Sequence, residues 1–441
     1  MKLFDNAKKI VEEKYPLLKF NKKREVTRLV FEIAKIKKDL KFSFLKEYKN
    51  YEQLKKKLIS LRYPFSSKTY PLKSFYLAEL DLKDSNSFSP KKDFLKIDEI
   101  FLEEGLENSK ILKNIIERNP EAKIYSIKNI KDLKKNFSVL DYNTRASRVY
   151  LTNGKFNLVK RCPCTKNCVS CGYYVLNLGF GCPMECEYCF LQGYQNLNGI
   201  LLNNNIKEYT SKMMEFFKNI KKRIRIGTGE FTDSLVYDDI TDYSLDIISE
   251  VKNNENIIFE FKTKTTNIAN FFRSKPYSNT VVSYSMNPQK IIEISEHYTA
   301  DFKERLNSLK KLSDYGYSIA IHLDPLIEFG DWKKLYYDCI NDIFSEIDPS
   351  KIRWISLGTF RFNPSTKKVI EDRFKYNKIL DSEMIIDFDG KLRYPYLLRK
   401  EIYSYIINCL KNNNIEQDKI YLCMEEVKMW KDLKLEKIFS W

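Results

Sequence analysis

Residues 179–192 read GFGCPMECEYCFLQ. Within them Cys182, Cys186 and Cys189 follow a CxxxCxxC spacing, directly after an apolar stretch with strand character. Thiolates are the usual ligands of iron–sulfur clusters. A cubane of four irons normally takes four cysteines. Three on one short loop hold three irons and leave the fourth open. A tetrahedral zinc is served less well by three cysteines with no fourth ligand close by.

Outward from this loop the chain alternates between strand-like and helical stretches. Strands are predicted at YYVLNLGF (173–180), RIRIGTG (223–229), IIFEFKT (257–263), NTVVSYSM (279–286), YSIAIHL (317–323) and IRWISLG (352–358). Helices are predicted at 206–220, 242–253, 266–273, 301–314 and 332–346. Repeated β/α alternation of this kind gives an α/β fold with a partial, open (β/α)6 barrel. Chemistry then sits on the loops that follow the C-terminal strand ends.

Upstream lies a smaller β/α pattern. IDEIFLEE is strand-like, and a helix enters through Asn108 and Ser109 and stops at Pro120. AKIYSI is a second strand and KNIKDLKK a second helix. Residues 1–95 look helical and basic, with Leu29, Val30 and Ile33 at helical spacing. At the other end, LLRKEIYSYIINCLKN and DKIYLCM read as a helix and a strand before a short aromatic tail. These patterns divide the chain into 1–95, 96–172, 173–395 and a C-terminal cap, 396–441.

GCPMECEYCFLQ resembles the cluster loop of the spore photoproduct lyase family of radical SAM enzymes. The resemblance runs from about Asp98 to Cys423 and is strongest over 173–310. It implies a TIM-type radical SAM partial barrel, preceded by a small α/β unit and here by a helical N-terminal region. It also implies a 4Fe-4S cluster whose open iron chelates S-adenosylmethionine, and whose electron cleaves the sulfonium to a 5′-deoxyadenosyl radical. Gly227, Gly229 and Glu230 in GTGE match the element that receives the methionine amino group. Ser234 follows in a matching stretch. Lys264 matches a lysine near the methionyl carboxylate, and Ser285 a serine at the end of the fourth strand. Glu296, Thr299 and Arg305 match an E-x-x-T then R-L pattern with an architectural or substrate-side role.

The sequence also departs from that family. A relay tyrosine is expected after the last cluster cysteine, where this chain has Phe190, which has no O–H to pass a hydrogen. The family's hydrogen-donor cysteine aligns near Phe231, and no cysteine lies between Cys189 and Cys339. Cys423, at the end of a late strand, is the candidate replacement donor, with a buried core thiol as the plainer reading.

Seven of the ten cysteines fall between Cys162 and Cys189. Cys162, Cys164, Cys168 and Cys171, in RCPCTKNCVSC, supply soft ligands for an auxiliary iron–sulfur cluster or a structural zinc. Unliganded thiols in a linker are the alternative. With only two histidines, His297 and His322, histidine-based metal catalysis is not expected. His322 ends the fifth strand, where a site role and a packing role are equally open. Arg361, after the sixth strand, is a candidate for an anionic substrate group.

The 441 residues carry a formal charge of +17 with 43% hydrophobic and 14% aromatic content, so the chain is long and apolar enough for a core. The basic surface suits DNA or another nucleic acid, although lysines also serve simply to solubilise. No signal peptide and no membrane-length apolar run are visible, which points to a cytoplasmic protein. Three functions follow. The first is a radical SAM enzyme on DNA, repairing a thymine photolesion with electrons from a flavodoxin or ferredoxin. The second is a radical SAM enzyme modifying RNA or a peptide with the auxiliary cluster. The third is a non-catalytic nucleic-acid-binding protein with a structural metal.

Overall fold

The computed structural model describes residues 2–48, 50–130, 138–154, 159–194 and 197–435. The chain divides into two compact units, Met1–Ser89 with Phe360–Arg399, and Pro90–Thr359 with Lys400–Trp441. Most of KNIKDLKK and the aromatic tail lie outside the described residues.

The first unit is built on the helices Lys2–Lys14, Phe20–Lys37 and Tyr51–Arg62. Asn50 caps the third by accepting a hydrogen bond from the Gln53 amide. The predicted stripe Leu29, Val30 and Ile33 is buried, together with Ala7, Val11, Leu54 and Leu58. Ile385 packs into the same core. A buried charge network ties the segments together: Glu32 takes Arg28 at 2.8 Å, Arg62 at 2.7 Å and Lys367 at 2.8 Å, and Arg28 also pairs with Glu371 at 2.9 Å. Ile385, Lys367 and Glu371 hold residues 360–399 in this unit.

The second unit holds two mixed sheets. In the smaller, Lys123–Ile127, Glu99–Glu103, Arg148–Thr152 and Ile200–Asn203 run parallel in that spatial order. Gly179–Phe180 adds an antiparallel edge. The larger sheet is the half-barrel. Its parallel strands, numbered in chain order, are β1 (Tyr174–Leu176), β2 (Ile224–Gly227), β3 (Ile257–Thr263), β4 (Thr280–Ser285), β5 (Ser318–Leu326), β6 (Ile352–Thr359) and β7 (Ile420–Leu422). Each pairs in parallel with the next. The first six are the six strands of the predicted α/β barrel. The late DKIYLCM strand joins as a seventh, and Val159–Arg161 lies antiparallel on β1 at the other edge. Helices Ile206–Phe217, Tyr243–Val251, Phe302–Tyr315 and Trp332–Glu346 fill the connections as predicted, while 266–273 forms only a 3-10 turn, Ala269–Arg273.

The stretch 173–180, predicted as one strand, divides: Tyr174–Leu176 stays in the barrel and Gly179–Phe180 crosses to the small sheet. A side chain at Gly179 would meet the Leu201 carbonyl oxygen at 2.0 Å, so only glycine permits that crossing. The three-cysteine loop therefore starts from a point pinned between two sheets.

Candidate metal centre

Arg145 organises the cluster loop. Fully buried, it donates from Nε and Nη2 to the Cys182 carbonyl at 2.9 and 2.6 Å and from Nη2 to the Met184 carbonyl at 2.9 Å. It also pairs with Glu185 and lies over the Tyr142 ring. Its planar fork matches two carbonyls and a carboxylate at once, which a lysine could not do. The other side of the loop is held by Glu296–His297, an antiparallel partner of Glu185–Cys186. The Glu187 amide donates to the Ser295 carbonyl at 2.8 Å.

Behind that strand lies a saturated carboxylate. Glu296 accepts from Tyr188 Oη at 2.5 Å, Asn287 Nδ2 at 2.6 Å and Arg305 Nη2 at 2.6 Å. Burial alone would raise this carboxyl, but the charges of Arg305 and Lys264 and these hydrogen bonds hold it at about 2. Arg305 also donates to the Ser285 carbonyl at 2.9 Å and to Thr299 Oγ1 at 2.6 Å. Arg305 is completely buried, so it and Thr299 order the loop carrying Tyr188 and Cys186.

Cys186 is buried and Cys182 and Cys189 are half-buried. Burial is the largest influence on each thiol; it pushes Cys182, with the charge of Asp233, up to about 12. Cys186 and Cys189 are also raised by burial, each opposed by the nearby charge of Lys264. Lys264 thus lies at the cluster loop, its Nζ 5.7 Å from the Tyr188 ring centre. Among the described residues no three His, Cys, Asp or Glu side chains converge as ligands of a single ion. A cubane asks for something different, because each thiolate meets its own iron. One buried and two half-buried thiols on a clamped backbone, with a cation beside them, fit that group.

The GTGE element lies against the same loop. Gly181 donates its amide to the Phe231 carbonyl at 2.9 Å, and the Phe180 and Phe231 rings pack at 5.3 Å. A side chain at Gly227 would strike Tyr173 Oη at 2.0 Å and the Glu260 carbonyl at 2.7 Å, and one at Gly229 would meet the Lys262 side chain at 2.9 Å. Thr228 Oγ1 donates to Ser234 Oγ at 2.6 Å, and Ser234 Oγ accepts the Lys262 amide at 2.9 Å. Asp233 takes the Lys264 amide at 2.9 Å and Thr263 Oγ1 at 2.8 Å, tying the turns after β2 and β3 together. Glu230 pairs with Lys160 at 3.0 Å; burial raises its carboxyl and Lys160 opposes this. Ser285 ends β4 beside His322 of β5.

The barrel interior holds a network that the motifs did not announce. One Glu260 oxygen accepts Arg225 Nε at 3.1 Å and Nη2 at 2.6 Å. The other faces His322 Nε2 at 2.8 Å and Trp354 Nε1 at 3.2 Å. Arg225 continues to Tyr421 Oη at 2.9 Å and stacks over Trp354 at 4.0 Å and Tyr173 at 4.8 Å. An acid in the middle of the apolar run IIFEFKT was the signal for it. Nothing in the sequence marked Arg145. His322 thereby gains a carboxylate partner in the interior. Phe190 is 40% exposed, with its ring against Tyr194 at 5.8 Å. Arg361 falls in the first compact unit, in Arg361–Phe362 paired with Leu392–Arg393, and is not among the residues from which this site is built.

Cys423 follows β7, its amide donating to the Leu357 carbonyl at 2.7 Å. The Cys162 thiol is raised far above the ordinary thiol range by a hydrogen bond with Cys164, then by burial and the charge of Cys423.

A half-barrel of parallel strands with a three-cysteine loop after its first strand defines a radical SAM enzyme. The spore photoproduct lyase family model matches residues 129–416, and the chain belongs to that family. It is 24% identical over 251 residues to the spore photoproduct lyase of Clostridium acetobutylicum, covering 55% of this chain and 74% of that one. It is 23% identical over 261 residues to that of Bacillus subtilis, covering 55% and 75%. Its fold matches the structure of a spore photoproduct lyase complexed with dinucleoside spore photoproduct with a TM-score of 0.64 at 17% identity, covering 76% of this chain and 99% of that one. A variant of spore photoproduct lyase with bound AdoMet and the same dinucleoside matches at 0.63 and 17%, covering 75% and 99%. Among the described residues no helix is long and apolar enough to cross a membrane.

Proposed function

We propose that the chain is a radical SAM lyase that repairs the spore photoproduct in DNA, drawing its electron from a low-potential flavodoxin or ferredoxin. One observation carries the reading: Lys264, directly after β3, holds its Nζ 5.7 Å from the ring centre of Tyr188, between Cys186 and Cys189 in the loop after β1. This proximity supports a reading in which cluster ligands and cosubstrate-side residues come from separate strands, as the family's chemistry requires. Cys182, Cys186 and Cys189 would hold the 4Fe-4S cluster, which with bound S-adenosylmethionine supplies the 5′-deoxyadenosyl radical.

The chain's own residues do the rest by binding and orienting. Gly227 and Gly229 keep the backbone after β2 open for the methionine amino group, and the half-buried Glu230 already carries a cationic partner in Lys160. Ser234 and Asp233 fix the turn that presents them. Lys264 answers the methionyl carboxylate, and Ser285 sits at the end of β4, the next strand. Phe190 cannot pass a hydrogen, so its exposed face serves as an apolar surface, and the lesion radical is quenched by another donor.

The test is turnover of dinucleoside spore photoproduct by the reduced, reconstituted enzyme with S-adenosylmethionine. Thymine recovery together with 5′-deoxyadenosine is expected, and both vanish in Cys186→Ser. Formation of 5′-deoxyadenosine without thymine recovery would withdraw the repair assignment. Six or more phosphate contacts on DNA predict an affinity loss of about 10³-fold or more between about 50 and 200 mM salt.

A further inference from the structure

The formal charge of +17 is not spread evenly over the chain. Residues 1–89 and 360–399, the first compact unit, carry 31 lysines and arginines against 17 aspartates and glutamates. The second unit, more than twice as long, carries 45 against 42. Almost all of the net charge therefore belongs to the helical unit. Lysines kept only for solubility would be shared between the two surfaces. The three helices of this unit also precede residue 129, where the family model begins.

The interior of the unit does not hold the excess. Arg28, Arg62 and Lys367 are met by Glu32 and Glu371, and the buried Arg393 and Arg399 by Asp389 and Asp387. With these cations matched almost one for one, the surplus lies on the surface. Lys19 and Lys22 stand at the start of the helix Phe20–Lys37. Lys56 and Lys57 lie on the helix Tyr51–Arg62, away from its buried Leu54 and Leu58. All four are exposed, and among the described residues none forms an ion pair.

The two helices present these side chains on one surface. Lys22 Nζ lies 4.4 Å from the ring centre of Tyr51, and Lys55 Nζ reaches the same ring at 5.7 Å. Beside them Arg24 lies over the Phe20 ring at 5.0 Å. Phe20 is 71% exposed and Leu17 is 97% exposed. Basic side chains interleaved with open aromatic rings suit a sugar–phosphate backbone. A lipid surface would ask instead for a continuous apolar face, and here the exposed apolar residues are few among many lysines.

We infer that this face of the helical unit grips the phosphate backbone of DNA, without regard to base sequence or lesion. The inference rests on the reading of the chain as an enzyme acting on DNA, and adds which surface holds the polymer.

The test uses the full-length, reconstituted protein and an undamaged DNA duplex. Changing Lys19, Lys22, Lys56 and Lys57 together to glutamine should weaken duplex binding tenfold or more at about 100 mM salt. The slope of log affinity against log salt should shrink by about 3–4, close to one for each lost phosphate contact. The same four positions changed to arginine should keep both affinity and slope, and a thermal melt of each variant confirms that the fold is kept. With lesion substrates, kcat/KM should fall in the glutamine variant for the photoproduct in duplex DNA and stay unchanged for the dinucleoside, which has no phosphate to grip. Wild-type affinity and slope in the glutamine variant would overturn the inference. So would wild-type binding to phosphatidylglycerol vesicles that the glutamine variant loses while it keeps the duplex, which would assign the face to a lipid surface. A protein that binds the duplex as expected but recovers no thymine from the dinucleoside would fail the repair reading and leave the grip standing.

Discussion

The guanidinium of Arg145 donates twice to the carbonyl oxygen of Cys182, the first residue of the cluster loop. A loop that must present three thiolates at fixed spacing cannot rely on its own short backbone bonds, and here a buried side chain from the 3-10 turn Arg145–Ser147 does the fixing. Arg145→Ala removes the buried ion pair with Glu185 and the hold on two carbonyls, and should cost about 3–5 kcal/mol of stability. Arg145→Lys should fold better yet still lose cluster occupancy, because a point charge cannot bridge two carbonyls and a carboxylate. Denaturant melts and iron counts on both variants check the pair of outcomes.

Glu296→Gln should be destabilising by about 3–5 kcal/mol, since Arg305 is left buried without its counter-ion. The pH dependence has a definite sign. The Glu296 carboxyl is held at about 2, below its unfolded value, so its contribution is complete above about 4.5 and lost as pH falls toward 2. Melting temperatures from pH 7 to 3 should therefore fall less steeply in the variant than in the wild type.

His322 behaves in the same direction for a different reason. Burial lowers its pKa below 6.5, against the pull of Glu260 and with help from Lys262 and Arg225. The folded state then binds fewer protons than the unfolded one, and stability is lost as pH drops below about 6.5. His322→Gln should remove the part of the acid loss that sets in over the interval just below about pH 6.5, while leaving the part due to Glu260 at lower pH. Equal slopes in the two proteins over that interval would contradict the lowered imidazole.

Gly227→Ala forces a methyl group onto Tyr173 Oη and the Glu260 carbonyl. Overpacking of this kind should cost about 1–3 kcal/mol. Adding Tyr173→Phe should recover only part of the loss, because the backbone oxygen stays. A calorimetric cycle over the two positions measures this.

The barrel and its cluster loop were legible because both are local. The six strands announce themselves as apolar runs, and CxxxCxxC needs no distant partner to be recognised. The interior network was not legible, because Arg225, Glu260, His322 and Trp354 come from four strands and meet only once the sheet curls. Arg145 escaped for the same reason: its partners are backbone atoms, which leave no mark in a sequence. The first unit blurred the division of the chain because its core borrows Ile385 from far downstream. Cys423 was visible as a late thiol, but its neighbours depend on the meeting of the two sheet edges.

The backbone bridge that joins Cys168, after one edge strand of the half-barrel, to Glu426, after the other, has a consequence for how the protein is made. Its second half is made long after its first, so the seam cannot close until Glu426 has emerged. Until then the early cysteines wait as exposed, oxidisable thiols beside an unpaired sheet edge, and contacts of such long sequence separation form slowly. Maturation of this enzyme should therefore be sensitive to oxygen during translation.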